Sequence, residues 1–100
     1  MSKQKGHITV HMIGEIGDDA WGYNVTWGKN QNQYYAQLEN DGKYHLKMTC
    51  VGTPLREFGN GAMERSEAIK VDKILKQKAM RTARDNARIW GLELQVVASA

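Results

Sequence analysis

The stretch YYAQLENDGKYHLKMTCV (residues 34–51) holds two alternating runs on either side of a turn signal, Asn40-Asp41-Gly42. Its register decides which side chains form a core. A two-residue Asp41-Gly42 turn would set Leu38 opposite His45 and Ala36 opposite Lys47, mixing apolar and polar partners. A three-residue loop with Gly42 left-handed sets Leu38 opposite Tyr44, Ala36 opposite Leu46 and Tyr34 opposite Met48. One face is then continuously apolar, so the sequence predicts the three-residue loop. The other face carries Tyr35, Gln37, Lys43, His45 and Lys47.

Upstream of the hairpin, ITVHMI (8–13) reads as a strand with Ile8, Val10 and Met12 on one side. GEIGDD reads as a turn, WGYNVTW (21–27) as an alternating strand, and GKNQNQ as a polar connection. Downstream, GTPLREFGNGAMER (52–65) contains Pro54, Gly59 and Gly61 and reads largely as loop. Ser66 is placed to cap a helix, with Glu67 at the positive end of its dipole. The helix should run to Trp90, with Gly91 as its left-handed stop, and LELQVV should form a last strand. The expected class is α+β: an antiparallel sheet of four to five strands packed on one long helix in the C-terminal half, in β-β-β-β-α-β order. One domain is expected over residues 1–100, with 1–7 a disordered N-terminal arm.

The composition, 41% hydrophobic and 25% charged, is that of a globular chain rather than a disordered one. No apolar run approaches a membrane span, and MSKQKGHITV lacks the apolar centre of a signal peptide. The single cysteine, Cys50, precludes an internal disulfide, so the expected compartment is the cytoplasm. Between Ser66 and Gly91 seven Lys/Arg stand against three acids, whereas the rest of the chain is nearly neutral. Charge gathered in one segment steers anionic partners.

At helical spacing, Ala68, Leu75, Ala79, Ala83 and Trp90 share one side, with Val71 and Ala87 at its edges. Alanines let the helix axis approach the sheet, while Leu75 and Trp90 are expected to supply most of the apolar area. Lys70, Lys73, Arg81, Arg84 and Arg88 form a stripe on the opposite side. A face that serves only solubility usually mixes Glu with Lys at i,i+4; no acid falls inside this stripe. Such charges repel one another until an anion with repeating phosphates neutralises them.

Other constellations are weak. His7 and His11 stand too far apart on a strand to chelate one metal readily, and no carboxylate cluster accompanies them. His45 and Cys50 fall on opposite faces of one strand. GEIG matches the GxxG form of a phosphate clamp but carries an acid where phosphate would bind. GNGAMERS lacks the lysine of a P-loop, although Arg56 in this segment could touch a phosphate backbone. Tyr35, on the face away from the helix, is the aromatic expected to be exposed and able to stack on a base. With no acid–base pair, nucleophile or metal cluster, no enzymatic activity, metal or cofactor is expected.

DDAWGYNVTW, then TPLREFGNGAME, then RTARDNARIWGLEL together resemble the core of the Rad-type single-strand annealing proteins of eukaryotes and phages. Members show a glycine–tryptophan strand entry, a GxG loop, and a helix of alanines and basic residues closing on aromatic-Gly. The resemblance implies a β-β-β-α core, ring assembly and cofactor-free binding of single-stranded DNA along a basic groove. Arg84 and Arg88, counted back from Trp90-Gly91, sit where that family carries DNA-contacting basic residues; its usual Thr-Asp pair is absent, with Thr82 displaced. The function expected is non-enzymatic nucleic-acid binding, single-stranded DNA binding or annealing in recombination, by Lys70, Lys73, Arg81, Arg84, Arg88, Arg56 and Tyr35. Homo-oligomerisation is a further expectation. The alternative is a small phage- or plasmid-type protein that docks on and inhibits a host protein.

Overall fold

The central hairpin has the register its apolar residues require. In a computed structural model that describes residues 6–97 (backbone only at position 60), β3 (Asn30–Leu38) pairs with β4 (Tyr44–Thr49). Leu38 faces Tyr44, Ala36 faces Leu46 and Tyr34 faces Met48. Gly42 takes a φ of 75°, and its N–H donates to the Glu39 carbonyl at 3.0 Å. The three-residue loop is therefore the one formed.

Around this hairpin lie β1 (His7–Ile13), β2 (Ala20–Trp27), β5 (Arg56–Met63) and β6 (Glu93–Val97). The sheet order is β5-β4-β3-β2-β1-β6, with six strands among the described residues. The class is α+β as expected, but three expectations about the sheet need correction. First, GKNQNQ is not a connection: Trp27 pairs with Asn30 across a two-residue Gly28-Lys29 turn, and Gln31 to Gln33 continue β3. The inward polar residue Asn32 is tolerated because its Oδ1 accepts the Val51 N–H (3.1 Å) and its Nδ2 donates to Tyr34 Oη (3.3 Å).

Second, residues 56–63 are strand rather than loop. Four residues, Gly59 to Ala62, stand opposite the single residue His45. This wide bulge is made possible by glycines at φ 84° and 86°. It returns Met63 to the apolar side, opposite Tyr44. Third, the sheet is mixed. β6 runs parallel to β1, His7 beside Glu93 and Val10 beside Val96, because the helix carries the chain back across the sheet before β6 begins. Residue 7 therefore lies in β1, and Gly6 O accepts the Glu93 N–H at 3.0 Å. The remainder of the expected arm, 1–5, lies outside the described residues.

The helical segment is broken once. α1 (Arg65–Lys70) and α2 (Asp72–Trp90) meet at Val71, whose φ and ψ are −92° and 6°. The cap is Glu64 rather than Ser66: Glu64 N–H donates to Glu67 Oε1 at 3.3 Å, and Arg65 Nε donates to Gly17 O at 2.7 Å. α2 ends as expected at Gly91, φ 65°, where the Leu92 N–H reaches Ala87 O at 2.8 Å.

Ala68, Leu75, Ala79 and Ala83 are fully buried against Ile8, Val10, Trp21, Val25 and Ala36. The small side chains bring the helix backbone close to the sheet, and Leu75 fills the centre. Trp90 departs from expectation, being 65% exposed. Around a surface groove Trp90 meets the strand ends His7, Trp27 and Asn30 and the Gly28 turn, so the helical phase that buries Ala79 over the sheet leaves Trp90 at its rim.

Candidate nucleic-acid interface

Which side of α2 meets solvent is fixed by polar ties on its inner side. Asp72 accepts from Trp21 Nε1 at 3.0 Å and from Tyr23 Oη at 2.9 Å. Burial, followed by the hydrogen bond to Asp72, holds the Tyr23 hydroxyl well above its ordinary pKa, so it remains a donor. Nearly three turns on, Thr82 Oγ1 and Tyr34 Oη lie 2.6 Å apart, and Asn86 Nδ2 donates to Thr82 O at 2.9 Å. The bonds from Asp72 and Thr82 to the sheet, with the buried alanines, oppose rotation of the helix about its axis; the Asn86 bond lies within the helix.

The opposite flank is thereby committed to solvent. Lys73, Arg81, Arg84 and Arg88 on α2, and Lys70 on α1, are all exposed. Among the described residues, no carboxylate lies within 4.0 Å of Lys70, Lys73, Arg81 or Arg84. Arg88 Nη2 has one long contact, 3.4 Å to Asp85 Oδ1, with both side chains solvated; such pairs contribute little.

Lys78, outside the predicted stripe, extends this surface toward β5. Its Nζ lies 5.1 Å from the centre of the Phe58 ring, a cation–π arrangement. Ile74, Gln77, Lys78 and Arg81 line a shallow groove on that side. Arg56 is not in a loop; it opens β5 opposite Met48, which puts it on the helix side of the sheet, exposed. In the sequence Lys78 lies well off the stripe in helical phase and Phe58 reads as a loop residue, so only the fold brings the two together.

Tyr35 is separated from all of these. It pairs with Lys47 and Gly22, so it points to the other side of the sheet and is half-buried there. A strand lying along α2 cannot also reach Tyr35 without passing round a sheet edge. The cations near Tyr35 are already matched. Lys47, nearly buried, pairs with Glu39, and Lys43 with Glu64. His45 Nε2 lies 2.8 Å from Asp41 Oδ2 and Nδ1 2.8 Å from Glu57 Oε1. The Asp41 hydrogen bond, then that of Glu57, raises the His45 pKa, since only the imidazolium donates from both nitrogens.

The described residues contain no cluster of three or more metal-binding side chains, and none of their helices is long and apolar enough to cross a membrane. GEIG forms part of the β1–β2 turn, closed by a Glu15 N–H to Asp18 Oδ2 bond of 3.0 Å. No protein-family model, curated protein or solved structure matches the chain.

Proposed function

We propose that the protein is a non-enzymatic nucleic-acid-binding module, acting on single-stranded DNA through the outer flank of α2. The observation that carries this reading is the row Lys73, Arg81, Arg84 and Arg88, with Lys70 before it. It contains one sign of charge, stays exposed after folding, and has almost no internal counter-charge. From Lys73 to Arg88 the row extends about 22 Å at 1.5 Å per residue. A phosphate backbone laid along it would release counterions at each contact. Arg56 and Lys78 supply further positive charge on the side facing β5. A strand held this way keeps its base edges available, so a complementary strand can pair with it; annealing in recombination, by a homo-oligomer of this chain, is the proposed role.

The test is a gel-shift titration of single- and double-stranded oligonucleotides at two salt concentrations. Four phosphate contacts to a single strand correspond to a slope of about −3 in log K against log salt, and each removed arginine reduces it by about 0.7. The Arg84→Ala/Arg88→Ala double variant should therefore bind more weakly and with a shallower slope. Absence of binding to either form at low salt overturns the reading. The flank would then fit an acidic protein surface, as a docking inhibitor of a host protein requires.

A further inference from the structure

Beyond Arg88, the end of α2 borders a groove that the phosphate-binding row does not explain. Trp27 and Trp90 line it, with His7, Asn30, Leu92 and the backbone of Gly28, and this open groove has a volume of about 400 Å³, within the ~300–1,000 Å³ of small-ligand clefts. Trp90 is 65% exposed at the rim of the sheet, so its indole contributes little to the core. Exposed indoles adjoining cations are the usual means of holding unpaired bases, because every base presents a π face. Lys29 is exposed at the tip of the turn whose Gly28 and Asn30 border the groove. Asn30 and His7 add hydrogen-bonding groups to an otherwise aromatic lining. Aromatic walls with polar edges and a cation at the rim match a nucleotide better than an apolar peptide.

We propose that the groove between Trp27 and Trp90 receives a base of the polynucleotide whose phosphates lie along α2; the proposal rests on the nucleic-acid reading above. Lys29, beside the groove and without a carboxylate within 4.0 Å among the described residues, points to an occupant that is part of a phosphate-bearing chain. Trp21 is fully buried, so of the three tryptophans only Trp27 and Trp90 can report contact with a ligand.

The experiment titrates the full chain with a thymidine 12-mer (about the length that one small single-strand-binding domain covers) and with an abasic 12-mer of the same backbone. Intrinsic fluorescence and affinity are both recorded. The thymidine oligomer should quench the tryptophans and bind about tenfold more tightly than the abasic one. Trp90→Ala should lose about that factor and most of the quench, Trp90→Phe should retain affinity within about threefold, and neither should change Tm because the side chain is exposed. Equal affinity for the two oligomers, with a preserved salt slope and no quench, overturns the base site while leaving the phosphate-binding row intact. Equal quenching by free thymidine monophosphate also overturns it, since the site would then be one for mononucleotides. Failure of both oligomers to bind at low salt overturns this proposal and its parent together.

Discussion

The β3–β4 hairpin and the outer flank of α2 both carry cations, and the two regions treat them oppositely. On the hairpin Lys47 lies against Glu39, Lys43 against Glu64, and His45 between Asp41 and Glu57. Among the described residues, the one carboxylate contact to a cation of the α2 flank is the long one from Asp85 to Arg88. The hairpin charges are part of the architecture: they bind β4 to β5 and close the loop. The α2 charges contribute nothing comparable, and the negative charge they need must come from outside. A basic residue is informative about partners only after its internal partners have been accounted for, which is why Lys47 beside Tyr35 makes a poor phosphate contact despite its position on an open sheet.

The contrast depends first on the inner side of α2 remaining seated. Asp72→Ala would leave the Trp21 and Tyr23 donors without an acceptor and should cost about 2 kcal/mol, read as a lower urea midpoint. Asp72→Asn, which keeps an acceptor oxygen, should cost less. An alanine variant as stable as the parent would mean that the helix is oriented by its apolar contacts alone. A smaller effect follows from His45. Its folded pKa is raised above the ordinary value of 6.5, so its contribution is fully present below about pH 6.5 and fades as pH rises through the raised value. Between about pH 5.5 and about pH 8.5 the parent should therefore lose more Tm than His45→Gln; parallel curves would remove His45 from the set of structural cations. The smallest change in stability is expected at the flank itself. Arg84→Ala should alter stability by less than about 0.5 kcal/mol while weakening oligonucleotide binding. A larger loss of stability would show that the two regions do not differ as described.

Much of this arrangement is legible in the residues. The hairpin register follows from alternation and from Gly42, because a shift by one residue would turn every apolar side chain outward. The exposure of Arg81, Arg84 and Arg88 follows from their phase opposite Ala79 and Ala83. Other features depend on partners distant in sequence. Asn32 looks like a loop residue until the Val51 N–H is brought to it, and Gly59 and Gly61 look like loop breakers until a bulge opposite His45 is required. Helical phase points Trp90 inward, but phase gives a direction and not how far the core extends along the helix. Consequently Tyr35, placed by its face, proves remote from the cations, while Trp90, expected on the inner side of the helix, borders a groove with Trp27. The parallel direction of β6 has no local signature, since its short alternating run suits either orientation.

That parallel pairing has a kinetic consequence. His7 meets Glu93 and Val10 meets Val96, so the seam between β1 and β6 joins segments from opposite extremes of the described chain. Closing so large a loop is entropically costly and rewards the chain late, which slows the approach to the native state. Until it closes, β1 displays an unpaired backbone edge, the kind of ribbon on which another polypeptide can template. The hairpins can assemble early and locally; the finished sheet must wait for its final five-residue strand.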